Sequence, residues 1–397
     1  MFLHDYLLNG PGLLEPYDGY LHLIPRLAVA VLVPVAGVEH YAAAVTMASC
    51  LLLGVVCVLT YYCTAALSTV PWIRLCWASI PLLVAPGALE TMGNLANLHW
   101  YLLWLVPLLL VREPRSLAGG ILLLTATLAT TLTEIQALLF IPLVLYRLGN
   151  RALWWTKGGL LLGLAFQLAA LALFPRVREG MGEDWNLLSV FYGWVLNSAG
   201  AVAYGSSSGI SSHILDFGSI PIILSAVPYV AALVVVYTRA DRLPRLMAGT
   251  WFLGSAAVWA AAVIINPVAY FDYAAYTAQD WTGFFLSRYS TLPSMYLLAL
   301  VPLMASTLVS QRHLDDRSRA RPRTAAMVVA GIFLTLQLVY YFPVDAARSD
   351  GPEWASGVEE ARRECSEQPR PEEVKVPVAP LGWAAAIPCD RLSTGDP

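Results

Sequence analysis

Twelve residues near the start of the chain, EPYDGYLHLIPR (15–26), gather Glu15, Asp18, His22 and Arg26 in a protein where only 13% of residues are charged. A carboxylate can take a proton from an attacking hydroxyl, and a guanidinium can hold a phosphate through paired hydrogen bonds. Three further stretches carry the same residue types beside apolar segments. ETMGNLANLHWY supplies Glu90, Asn97 and His99, ATTLTEIQAL supplies Glu134, and LSRYSTLP supplies Arg288 and Tyr289. Charged groups at membrane depth are costly and usually mark a functional path or site. Together these residues suggest proton transfer beside an anionic leaving group.

The elements that must position them follow from composition. Hydrophobic residues make up 58% of the 397, which predicts an all-α polytopic membrane protein. The formal net charge is −3 and the basic residues are scattered, so nucleic acid is excluded as a partner and the lipid bilayer is expected. No HExxH or CxxC motif is present, and the six histidines show no metal-ligand spacing. No cofactor is indicated, and a divalent cation held by the carboxylates stays open. Cys50, Cys57, Cys63 and Cys76 fall in apolar stretches as small core residues, whereas Cys365 and Cys389 fall in the polar tail.

Apolar runs predict about ten spans, near 41–66, 75–88, 100–111, 117–133, 135–147, 158–174, 220–238, 247–266, 291–310 and 324–342. The connections sort by charge. Arg74, Arg112 with Arg115, Arg147 with Arg151 and Lys157, RADRLPR and QRHLDDRSRARPR alternate onto one side, which the positive-inside rule makes cytoplasmic. Segments 1–25, 89–99, 175–219, 267–290 and 343–397 then face outward, and an additional span upstream of Met1 is expected to carry the N-terminus there. Residues 20–35 are too short and Pro-punctuated to span and read as a helix lying along the outer surface. The expected domains are a bundle over 1–342, with residues 1–40 as first external loop and interfacial helix, and an extracytoplasmic tail over 343–397.

Each candidate also has a plainer role. Asp18 and Glu90 can be solvated, Glu90 can cap a helix, His99 beside Trp100 can anchor an interface, and Asn94 and Asn97 can satisfy a turn. RVREGMGEDW reads as a solvated loop. NSAGAVAYGSSSGISS reads as a connector or a loop whose amides wrap a sugar or phosphate. The aromatic segment YFDYAAYTAQDWTGFFLSRYSTLP can stack on sugar faces, with Arg288 available to a phosphate or snorkelling at the interface.

An acidic external loop opening into a polytopic bundle and followed by an interfacial helix resembles the GT-C superfamily of glycosyltransferases, over Glu15 to about Phe342. The resemblance implies catalysis on the outer face of the cytoplasmic membrane and a polyprenyl-phosphate sugar donor. It also implies an essential acidic residue in the first external loop, for which Asp18 and Glu15 are the candidates. Members often carry an adjacent acidic pair, whereas here Pro16 and Tyr17 separate the two. In the implied inverting mechanism, one of these carboxylates deprotonates the acceptor and Arg288 or Arg26 steadies the lipid phosphate. His22, Glu90, Asn97, His99, Glu134 and Tyr289 would bind sugar or acceptor, itself a glycan, a lipid or a protein. In the tail, EWASGVEEARREC reads as a short helix and VKVPVAPLGWAAAIPC as extended segments, stapled by a Cys365–Cys389 bridge. The competing readings are a transporter or flippase for a lipid-linked saccharide, which usually shows repeat symmetry, and a non-catalytic subunit of an envelope-assembly complex.

Overall fold

The computed structural model describes residues 1–175, 186–266, 268–310, 316–341, 351–379 and 382–393. The chain opens with α1 (Phe2–Asn9), a turn closed by pairing of Tyr17 with Tyr20, and α2 (Leu23–Ala36). Next come α3 (Tyr41–Cys63), α4 (Pro71–Leu83) and α5 (Ala85–Glu90), then α6 (Leu98–Val111) and α7 (Leu117–Thr131). A 3-10 helix over Ile135–Leu145 leads into α8 (Trp154–Leu173). α9 (Leu187–Val195) runs through a π-helical turn at Leu196–Gly200 into α10 (Ala201–Tyr204). α11 (Ser207–Phe217), α12 (Ile220–Leu224), α13 (Val227–Arg239) and α14 (Arg242–Ile265) follow. α15 (Ala278–Thr282), α16 (Thr291–Val309) and α17 (Asp316–Tyr341) complete the bundle. The tail adds α18 (Trp354–Ser366), an antiparallel pair β1 (Glu373–Val378) and β2 (Trp383–Pro388), and α19 (Cys389–Ser393).

Among the described residues seven helices are long and apolar enough to cross a membrane: Tyr41–Ala66, Pro71–Glu90, Arg151–Leu173, Leu187–Tyr204, Ile220–Arg239, Arg242–Ile265 and Arg288–Val309. The spans expected at 100–111, 117–133, 135–147 and 324–342 coincide with shorter apolar helices, Leu95–Val111, Leu117–Thr131, Ile135–Leu145 and Met327–Tyr341. α6 is buried along its whole length and α16 along most of it, as expected of helices that are apolar all round. Around them Trp77 donates to the Ala299 carbonyl (3.0 Å), Trp104 to the Thr60 hydroxyl (2.9 Å) and Tyr296 to the Leu103 carbonyl (2.8 Å). These three buried polar tips thus find acceptors, whereas the Trp100 and Trp251 indoles have none among the described residues. On the rim, Met47 and Leu51 of α3, Val234 of α13 and Leu253 of α14 stay exposed. Such apolar surface suits lipid and would be a liability in water.

The candidate span Leu187–Tyr204, with α11 after it, corrects the expectation of an external segment over 175–219 whose Gly- and Ser-rich part, 197–212, is a loop; RVREGMGEDW lies outside the described residues. Its small residues form a packing seam. A Cβ on Gly193 would come within 2.7 Å of the Trp259 ring, and Ser290 donates to the Asn197 side chain at 2.7 Å. Ser294 reaches the carbonyls of Asn197 and Ser198, both at 3.3 Å. Small residues let helices approach closely in a membrane, and here they replace the loop.

Cys365 and Cys389 are disulfide-bonded, with Cα atoms 5.5 Å apart. The stapled tail covers one end of the bundle: α1 packs on β2, His4 pairs with Glu373 (3.2 Å), Trp354 donates to the Val38 carbonyl (2.7 Å) and Arg362 pairs with Glu39. Tyr341 also contacts Met92 there, at 2.8 Å. This is the cap end: segment 1–25 meets the tail at it, and segment 89–99 meets the end of α17.

Candidate functional site

At the cap end, the N-terminus of α2 is docked onto the end of α7. The first N–H groups of a helix lack intrahelical acceptors. Here Leu23 donates to the Leu132 carbonyl and Ile24 to the Thr133 hydroxyl, both at 3.1 Å. Gln167 of α8 fixes the preceding strand of chain. Its carbonyl accepts from Leu21 N (2.9 Å), and its amide donates to the carbonyls of Leu21 (3.2 Å) and Thr131 (2.9 Å). These bonds set His22 beside the residues that follow Thr133, above all Glu134.

Glu134 caps the 3-10 helix, accepting from Gln136 N at 2.8 Å, so its carboxylate sits at the positive end of that helix. Its other oxygen meets His99 Nδ1 in a short contact, and both side chains are buried. Among the described residues this is the one hydrogen bond of the His99 ring, and 11% of that side chain remains accessible. His22, 4% exposed, lies among Phe2, Tyr17 and Tyr20 with ring centroids 5.4, 6.0 and 4.3 Å away. Neither of its ring nitrogens has a partner of hydrogen-bond geometry among the described residues. Burial, reinforced by the charges of His99 and Arg26 and opposed by Glu134, pushes its pKa down to about 3, so the ring is neutral.

Arg26, 3% exposed, is held by Asp5 of α1 at 3.1 Å and by Glu15 at 3.7 Å, with its guanidinium 5.7 Å from the Phe2 ring centre. Glu15 itself is 47% exposed. Asp18 is exposed and has φ 53°, followed by Gly19 at φ 85°. Two successive left-handed residues make the tight turn that an Asp-Gly pair favours, which accounts for Asp18 by backbone need. Asp5 was missed because residues 1–25 read as a loop; Gln167 was missed because it lies within an apolar run.

A second pair stands apart from this cluster. Glu90 receives the Arg288 backbone N–H (2.9 Å) on one oxygen and its guanidinium (3.3 Å) on the other. The Arg288 side chain is 37% exposed and lies over the Tyr289 ring at 5.3 Å. Arg288, expected to hold a phosphate or snorkel, is therefore already engaged by a carboxylate. Asn97 reaches the Glu90 carbonyl at the long distance of 3.5 Å.

An aromatic row links the two groups. His99 lies 4.4 Å from Trp100, Trp100 5.7 Å from Tyr289, and Tyr289 5.6 Å from Phe271, centroid to centroid. Phe271 in turn meets Trp259 and Tyr273 at 5.5 and 6.4 Å. Beyond lies a cavity of about 600 Å³, lined by Phe191, Trp194, Tyr229, Phe252, Tyr273 and Trp281 among others. None of the expected site residues lines it. The acids of the aromatic segment have local partners: Asp272 accepts from Ser189, and Asp280 closes a capping box with Thr277. GSSSG (205–209) fits the G-x-S-x-G pattern, but Ser207 begins α11 and accepts from Leu286 N at 2.8 Å, with no strand before it. Among the described residues no three His, Cys, Asp or Glu side chains converge as a metal cage.

No protein-family model, curated protein or solved structure matches the chain.

Proposed function

We propose that this protein is a membrane glycosyltransferase that moves a sugar from a polyprenyl-phosphate donor to an acceptor hydroxyl at the cap end of the bundle. The observation that carries the reading is one arrangement. A buried polar cluster (His22, Arg26, His99, Glu134) and an accessible ion pair (Glu90–Arg288) are joined by an aromatic row to an apolar cavity of about 600 Å³. The donor has the same division, a charged phosphate and sugar at one end and hydrocarbon at the other. The cavity suits part of the prenyl chain, the partly exposed Tyr289 ring suits a sugar face, and Arg288 can exchange Glu90 for the phosphate.

In the reaction the acceptor oxygen bonds to the anomeric carbon as the carbon–oxygen bond to phosphate breaks. The bonding pair leaves on the phosphate, and the hydroxyl proton passes to a base. With the positive-inside orientation the cap end faces outward, where lipid-linked sugars are used. Binding energy on the remote chain would serve to hold the anomeric carbon in line for attack.

The test uses membranes expressing the protein and a panel of undecaprenyl- and decaprenyl-phosphate pentoses and hexoses carrying radiolabel. Transfer to endogenous acceptors above empty-vector membranes is expected. Arg288→Ala is expected to lower kcat/KM for the donor at least tenfold, corresponding to about 1.4 kcal/mol. A panel that works on a control enzyme but gives no transfer here would overturn the reading in favour of a transporter or flippase for a lipid-linked saccharide.

A further inference from the structure

His99 and Glu134 come from stretches 35 residues apart, yet their side chains are in direct contact at the cap end. Glu134 is 2% exposed, at a place where an ionised carboxylate needs a compensating partner. Its oxygens are divided between Gln136 N and His99 Nδ1. A carboxylate on Nδ1 keeps the proton on that nitrogen and leaves the lone pair on Nε2, and it stabilises the imidazolium once a proton arrives. Among the described residues no hydrogen bond occupies Nε2, and the ring retains a small accessible face beside Trp100. We propose that His99 is the base that takes the proton from the acceptor hydroxyl and that Glu134 is the positioning residue that fixes its tautomer; this rests on the glycosyltransferase reading above.

The two carboxylates expected for that role are differently placed. Glu15 is half exposed and held by Arg26, and Asp18 sits on an exposed turn. A solvated carboxylate is as open to water as to an acceptor, which invites hydrolysis of the donor. His99 lies where burial limits water, one ring away from the partly exposed Tyr289 along the aromatic row. The step balances simply. The acceptor O–H proton goes to His99 Nε2, the oxygen bonds to the anomeric carbon, and the phosphate departs with the bonding pair. The imidazolium then returns its proton to water as product leaves.

The charged and titratable groups facing this pair are His22 from the start of α2, Arg26 one turn further along α2, and Tyr296 from α16. Among the described residues His22 makes no hydrogen bond to Glu134, which leaves that carboxylate to His99 and Gln136 N.

The experiment measures transfer by the full-length protein in nanodiscs, using whichever labelled polyprenyl-phosphate sugar the wild type turns over, across pH 5 to 9. His99→Asn is expected to lower kcat by about 10²- to 10⁴-fold with donor KM within about threefold of wild type. Glu134→Gln is expected to lower kcat and displace the acid limb of the pH profile. Glu15→Ala and Asp18→Ala serve as the competing bases, and a loss in either that matches His99→Asn overturns the assignment. ¹⁵N spectra of histidine-labelled protein give a readout independent of turnover. Wild type should show His99 with its proton on Nδ1, and Glu134→Gln should move proton density to Nε2. Wild-type transfer with His99→Asn active within about threefold overturns the base, as does an Nε2–H tautomer in the wild type. Absence of wild-type transfer instead overturns the glycosyltransferase reading itself, so the two failures are distinct.

Discussion

Acidification should loosen the N-terminal segment through one residue, His22. Its folded-state pKa is about 3, against 6.5 for an unperturbed histidine. Above pH 6.5 the ring is neutral whether the segment is docked or released, and proton binding favours neither state. Below pH 6.5 the released segment binds a proton that the docked one refuses, so docking weakens as pH falls and the loss is complete near pH 3. At pH 5 the linkage is worth on the order of 2 kcal/mol, and the full gap about 5 kcal/mol. Phe2 packs on His22 and Asp5 pairs with Arg26, so α1 and the Tyr17–Tyr20 turn should open together. Hydrogen exchange of the full-length protein in nanodiscs, corrected for intrinsic pH dependence, reads the opening free energy of residues 1–26. The expected result is roughly a 30-fold loss of protection between pH 7.5 and pH 5, following from that 2 kcal/mol. His22→Phe, which keeps a ring among Phe2, Tyr17 and Tyr20 without a titrating group, should remove the dependence. Unchanged protection at pH 5 in the wild type, or the same loss in His22→Phe, would refute the reasoning.

Two further outcomes follow from packing and from the cap. Reducing Cys365–Cys389, or replacing both by Ser, opens a loop with a sequence separation of 24. It should destabilise the cap by about 3.5 kcal/mol on the chain-entropy estimate, seen as faster exchange in β1, β2 and α18 while α6 and α16 stay protected. Gly193→Ala should cost about 1–3 kcal/mol, lowering the thermal midpoint in detergent, because its Cβ meets the Trp259 and Tyr273 rings at 2.7 and 2.8 Å. Gly54→Ala on α3, where a Cβ meets nothing within 4 Å, is the comparison and should hold or raise the midpoint.

Much of the molecule is determined locally and was legible in the sequence. Apolar runs long enough to span, such as those of α3, α14 and α16, carry their own signal because a membrane helix satisfies its backbone internally. The tail's short helix and extended segments were legible for a similar reason: the pattern within each piece suffices. The polar residues gathered at the cap end were visible as rare charges beside apolar runs. Their partners were not. That Glu134 meets His99, that Arg288 meets Glu90, and that Arg26 is held by Asp5 depends on how helices distant in sequence are docked. Gln167 and Thr133 make one of those dockings, and neither differs by type from an ordinary polar residue in a span.

The Leu187–Tyr204 stretch shows where local reading ends. Its Gly, Ser and Asn residues have the composition of a loop, and only the faces of α14 and α16 turn them into a helical seam. Composition fixed the solvent this chain prefers, because transfer free energies add along the sequence. Which buried groups neutralise each other was decided by tertiary contact, because the cost of an unpaired charge in a low-dielectric interior is removed only by a partner within a few ångströms.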